Sequence, residues 1–132
     1  MTTTRAAKII IAEDESVLLK AMTIELVNAG FSVLCATNGE AVIDLVRKEK
    51  PDVLILDILM PKLNGLDALQ KLRSYRGFKH LPVIVLSNLS QEEDLRRADE
   101  LGVIKYFIKA TVDLSEVVEC IRRLLPQSSV RS

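Results

Sequence analysis

Apolar residues in this chain fall into two alternating patterns, short continuous runs and longer stretches with helical spacing. The runs are residues 8–12 (KIIIA), 31–36 (FSVLCA), 53–56 (VLIL), 81–86 (LPVIVL) and 104–108 (IKYFI). Runs of this length read as strands, and a strand with no polar face must be covered on both sides, as in a parallel sheet between helices. Between the runs, Leu18, Met22 and Leu26 recur at i+4, with Leu19 and Val27 widening the stripe. They predict a helix over 16–29 that ends at Gly30, a C′ glycine. Asn38 is placed to cap a helix through 48 whose inward face is Ala41, Val42, Leu45 and Val46, with Pro51 preventing its continuation. Leu66, Leu69 and Leu72 predict a helix over 66–74. Ser90 and Glu93 form an S-x-x-E capping box for a helix to about 101, before Gly102, and Asp113 and Glu116 offer a second box. The last helix carries Val117, Val118, Ile121, Leu124 and Leu125 inward and stops near Pro126.

Five strands alternating with five helices make a (βα)5 α/β fold, a three-layer sandwich with right-handed crossovers around a parallel sheet. The first, third and fourth runs are apolar throughout and belong in the middle. The second and fifth are mixed and belong at the edges, which places the order at 2-1-3-4-5. In this flavodoxin-like order the winding reverses between the first and third strands, and their carboxyl ends leave a ligand-binding crevice. Asp14 and Asp57 flank it.

Composition narrows the function classes. At 132 residues one domain is expected, with a core over about 8–125 and flexible ends at 1–7 and 127–132. Lys plus Arg and Asp plus Glu are each 18, and no basic run offers a nucleic-acid footprint, so direct DNA or RNA binding is not expected. The apolar runs are too short to span a bilayer and the start MTTTRAAK lacks a signal-peptide core, which points to the cytoplasm and away from a membrane. Cys35 and Cys120 match no metal spacing and are expected as buried reduced thiols; His80 is expected in a surface loop.

The strand ends carry the chemistry. Glu13 and Asp14 follow the first strand, Asp57 the third, Ser87 the fourth and Lys109 the fifth. Carboxylates brought together repel unless a cation joins them, and hard oxygen ligands suit Mg²⁺. An Asp is a competent nucleophile toward a phosphoryl group, whose charge calls for a metal, a Lys and a hydroxyl donor. The plainer alternative is that Asp57 caps a turn, Lys109 neutralises the acids and Ser87 caps a loop.

The segments IIIAEDE (9–15), LILDILMPKLNG (54–65), VIVLSN (83–88) and YFIK (106–109) resemble the receiver domain of two-component response regulators, the chemotaxis-regulator-like superfamily, across residues 8 to 125. The chemotaxis receiver has this same sheet order, so the order and the resemblance are not independent. The resemblance implies that Asp57 accepts a phosphoryl group from the phosphohistidine of a sensor histidine kinase or a histidine phosphotransfer protein. It implies Mg²⁺ on Asp14, Asp57 and the backbone carbonyl of Leu59, with Glu13 acting mainly through water. Lys109 and the Ser87 hydroxyl would bind phosphoryl oxygens, and Tyr106 would turn inward as Ser87 moves, altering the face of the fourth helix, fifth strand and fifth helix. That face would meet a downstream protein target or output domain, or a second copy in a phosphorylation-dependent homodimer.

Three positions depart from the family pattern. Glu13 replaces the more frequent Asp, Asn88 stands where a small residue is usual, and Ala110 stands where Pro follows the Lys in a cis bond. A trans bond is expected at Ala110, with the loop before the last helix displaced or mobile. Since no output domain follows Pro126, the expectation is a stand-alone receiver or the receiver piece of a longer regulator. The other readings are an adaptor that binds partners without phosphorylation and a hydrolase on the same fold.

Overall fold

The computed structural model describes residues 6–125. The expected flexible ends, apart from Ala6 and Ala7, and the stop at Pro126 lie outside the described residues. Strands β1 (Lys8–Ala12), β2 (Ser32–Ala36), β3 (Val53–Leu56), β4 (Val83–Ser87) and β5 (Lys105–Ile108) alternate with helices α1 (Ser16–Asn28), α2 (Gly39–Glu49), α3 (Gly65–Arg73), α4 (Glu92–Glu100) and α5 (Leu114–Leu124). A short 3₁₀ turn, Arg76–Phe78, precedes β4. The strands form one parallel sheet in the order β2-β1-β3-β4-β5. Every residue of β3 and β4 is buried, which is why those runs carry no alternation.

Side chains of β3 alternate between two cores. Val53 and Ile55 pack with Met22, Leu26, Val117 and Ile121 under α1 and α5. Leu54 and Leu56 pack with Val42, Val46, Leu69 and Leu72 under α2 and α3. A smaller cluster, Ile58, Leu66, Val85 and Ala98, reaches α4. The sheet is thus covered on both faces, and its strands can present polar groups only at their ends.

Helix ends follow the sequence signals in three places and depart in one. Asn38 accepts from the Ala41 N–H and Asp113 from the Ser115 N–H. Gly30 closes α1 at φ 96° while Phe31 N–H donates to Leu26 and Gly30 N–H to Val27, a Schellman pattern. Ser90, however, is not a cap: α4 begins at Glu92 behind Gln91, with no side-chain cap. Glu92, Glu93 and Asp94 in its first turn complement the positive end of the helix dipole instead.

Three side-chain expectations are corrected. Val27 is 53% exposed, because α1 buries only Met22 and Leu26 and position 27 lies off that stripe. On α2, Ile43 is buried and Ala41 and Leu45 only partly so. Cys35 is exposed and Cys120 intermediate, not buried thiols; β2 is an edge strand with a neighbour on one side, so its side chains are incompletely covered. His80 is exposed, as expected.

Candidate functional site

The sheet's ladder continues one residue past β1, β3 and β5 and brings the next residues to a common edge. Asp57 N–H donates to the Ala12 carbonyl at 3.0 Å, Glu13 N–H to Ala36 at 3.0 Å and Lys109 N–H to Ser87 at 3.2 Å. Backbone geometry therefore places Glu13, Asp57, Ser87 and Lys109 together at the carboxyl edge. Asp57, Glu13 and Ser87 are buried there, the buried polar residues of the described chain.

Lys109 is the hub. Its Nζ lies 2.8 Å from Asp57 Oδ2, 2.9 Å from Glu13 and 3.6 Å from the exposed Glu15. Burial opposes its charge, but the hydrogen bonds that Lys109 donates to Asp57 and Glu13 outweigh that cost and raise its pKa, so it stands as a cation. Glu13 is pushed the other way: burial raises its carboxyl pKa despite the help of Lys109 and of the Glu15 N–H, which donates to Oε2 at 3.0 Å. Among the described residues no buried side-chain nitrogen or oxygen lacks a partner.

Glu13, Asp14 and Asp57 each offer a carboxylate oxygen, and these oxygens lie within 4.8 Å of one another. Asp14 is exposed and Asp57 buried, so the trio opens to solvent on one side. Three hard oxygen donors at this spacing fit a small divalent ion that keeps some of its waters. Glu13 is the most committed of the three, since its carboxylate already serves Lys109 and the Glu15 N–H.

The loop after β3 is braced by a glycine whose role the sequence does not reveal. Gly65 N–H donates to the Ile58 carbonyl at 2.7 Å, and a Cβ on Gly65 would sit 2.0 Å from the Asp57 carbonyl oxygen. Its signal in the sequence, an N-G before a helical stretch, reads only as a helix start. Leu59 lies in this loop and is 60% exposed. Arg73 is a second residue without a local signal: its guanidinium donates to the carbonyls of Leu101, Phe78, Lys79 and Leu81, joining the end of α3 to the chain before β4 and after α4.

Tyr106 is already half-buried, its ring against Ile58, Leu66, Val85 and Ala98, with its hydroxyl donating to the Leu89 carbonyl. Burial first, then the charge of Asp94, raises its pKa. A backbone acceptor and an apolar seat together hold the ring in this position. Ser87 Oγ accepts from Leu89 N–H at 3.3 Å, so Leu89 is bonded to both expected switch residues. No cis peptide bond occurs among the described residues, as expected at Ala110. Its N–H donates to Asn88 Oδ1 at 2.8 Å, so the loop before α5 is tethered rather than cast loose.

The family model of the response regulator receiver domain matches residues 9–122. The chain belongs to the response regulator receiver family. TcrX of Mycobacterium tuberculosis, a probable transcriptional regulatory protein, is 33% identical over 122 residues, 92% of this receiver and 51% of that protein. PhoP of Bacillus subtilis, the alkaline phosphatase synthesis transcriptional regulatory protein, is 30% identical over 102 residues, 77% of this receiver and 42% of that protein. The receiver thus spans about half the length of the curated relatives it matches. A LuxR-family DNA-binding response regulator from Staphylococcus aureus superposes with a TM-score of 0.78 at 31% identity, covering 89% of this receiver and 98% of that chain. Chemotaxis protein CheY4 of Vibrio cholerae shares the fold, with a TM-score of 0.83 at 22% identity over 91% of this receiver and 99% of that chain.

Proposed function

We propose that this receiver signals through phosphorylation of Asp57. The observation that carries the reading is the contact of Lys109 Nζ with Asp57 at 2.8 Å inside a pocket that also holds Glu13, Asp14 and Ser87. An Asp57 carboxylate oxygen attacks the phosphorus of a phosphohistidine; the P–N bond breaks, the imidazole leaves with the electron pair, and an acyl phosphate forms. Lys109 meets the added negative charge, and the Ser87 hydroxyl rotates to donate to a phosphoryl oxygen. Asp14, Asp57 and the Leu59 carbonyl would hold Mg²⁺ directly, with Glu13 acting through water. When bound, the ion supplies positive charge against the phosphoryl oxygens. The donor would be a sensor histidine kinase or a histidine phosphotransfer protein in the cytoplasm.

Output would follow from Leu89. A shift of Ser87 toward the phosphoryl group moves Leu89, which holds the Tyr106 hydroxyl, so the change reaches α4, β5 and α5. That face would meet a downstream protein or output domain, or another copy of the receiver. The molecule would act as a single domain with a core over 8–125, helping only its own phosphorylation and dephosphorylation. Incubation with a small phosphodonor and Mg²⁺, read by intact mass, tests the reading. One phosphoryl group should be added, and Asp57→Asn, EDTA or Asp14→Ala should each prevent it. Addition that survives Asp57→Asn would sink the assignment.

A further inference from the structure

Two unusual residues of this receiver meet each other. Asn88 follows Ser87, Ala110 follows Lys109, and Asn88 Oδ1 accepts the Ala110 N–H at 2.8 Å. One residue earlier on each strand, Lys109 N–H donates to the Ser87 carbonyl at 3.2 Å. The turns that present the hydroxyl and the ammonium are therefore joined by two adjacent hydrogen bonds, one of them through a side chain. A proline at 110 would have no N–H to give, and a small residue at 88 no acceptor to receive it.

We propose that Asn88 is a positioning residue for the phosphoryl site, clasping the Ser87 turn to the Lys109 turn through the main-chain N–H of Ala110. The inference rests on the phosphoacceptor reading of Asp57. Lys109 carries its charge on a long flexible stem, so the site of its main-chain anchor limits where the ammonium can wait. With the clasp made, the two donors for the phosphoryl oxygens stay at a fixed separation. Without it, the Ala110 N–H turns to water and the Lys109 turn is held to β4 by the 3.2 Å bond alone.

The test separates the hydrogen bond from the bulk of the side chain. Asn88→Ala removes both, Asn88→Leu removes the acceptor and keeps the volume, and Asn88→Asp keeps the acceptor. In the protein without phosphodonor, NMR-detected exchange of the Ala110 amide with water should quicken in the Ala and Leu variants and stay slow in the Asp variant. Beryllofluoride affinity in Mg²⁺ should fall about two- to tenfold in both the Ala and Leu variants, while the thermal midpoint falls by no more than the few degrees that one exposed hydrogen bond supports. Unchanged Ala110 exchange in Asn88→Ala overturns the clasp. Faster exchange with wild-type beryllofluoride affinity overturns the positioning role, as does a Leu variant that binds like wild type while the Ala variant does not. A wild-type protein that binds no beryllofluoride overturns the Asp57 reading itself, and the exchange data still judge the clasp separately.

Discussion

Helices α3 and α4 have nine residues each and meet across the contacts of Arg97 with Asp67 and Gln70. α3 buries Gly65, Leu66, Ala68, Leu69 and Leu72, whereas α4 buries Ala98 alone. Asn64 caps α3 through the Leu66 N–H, while α4 starts without a side-chain cap. The ties of α4 lie toward its carboxyl end, at Arg97, Ala98 and the Leu101 carbonyl held by Arg73. The difference separates a firmly seated helix from a lightly seated one. α3 follows the Asp57 loop, with Gly65 against the Asp57 carbonyl; α4 follows the Ser87 loop, with no side-chain cap and no buried residue in its first turn.

The comparison breaks first on core truncation. Leu72→Ala should cost about 2–5 kcal/mol in urea unfolding, the range for a buried Leu that leaves a cavity. Leu95→Ala, at a position 41% exposed on α4, should stay within about 1 kcal/mol. Equal losses would show that α4 is as firmly built as α3.

Gly65 sharpens it next. Gly65→Ala forces a Cβ against the Asp57 carbonyl and should cost about 1–3 kcal/mol, with slower phosphorylation because the acceptor's backbone must shift. Gly77→Ala meets nothing within 4 Å and should be close to neutral on both readouts, which makes it the control. A neutral Gly65→Ala would mean that the acceptor loop yields as easily as the Ser87 loop.

Hydrogen exchange compares the helices directly. Amides in the first turn of α4 should exchange at least about tenfold faster than those of Ala68 to Leu72, since local opening there exposes little apolar surface. Arg97→Ala should quicken α4 further while changing global stability by only about 0.2–1 kcal/mol, because its pair with Asp67 is partly exposed.

The smallest effect belongs to α5, which has three buried residues, Val117, Val118 and Ile121, and a charged cap. Hydrogen bonds from the Ser115 N–H and hydroxyl hold Asp113 below the ordinary carboxyl range. A depressed folded pKa stabilises the fold above the unfolded pKa, and that contribution is lost as pH falls through the folded value. Asp113→Asn should therefore lower the urea midpoint at neutral pH and leave it unchanged in strong acid. A loss of the same size at both pH values would assign the cap to geometry without charge.

How much of this was legible in the chain can be judged from particular residues. The strands, the two-sided burial of 53–56, the caps at Asn38 and Asp113 and the glycine at 30 are local facts. They depend on side-chain periodicity and on backbone groups a few residues away, so sequence alone determined them; the sheet order that puts Asp57 at the crevice was legible from them together with the family resemblance. The identities of Glu13, Asp14, Ser87 and Lys109 as residues of one site follow from that order.

Tertiary structure decided which of these groups touch. Lys109 meets Glu13 across 96 positions and Asp57 across 52, and only the register of parallel strands fixes those distances. The same holds for Tyr106, seated on α4's Ala98 with its hydroxyl on Leu89, for Gly65 against the Asp57 carbonyl, and for Arg73 among main-chain carbonyls from two segments. The exposure of Cys35 and the late start of α4 are also tertiary outcomes, set by how far neighbouring elements cover an edge or a helix end. Asn88 and Ala110 look like two unrelated departures along the chain. They become one hydrogen bond only because β4 and β5 pair in the register that sets Ser87 opposite Ile108.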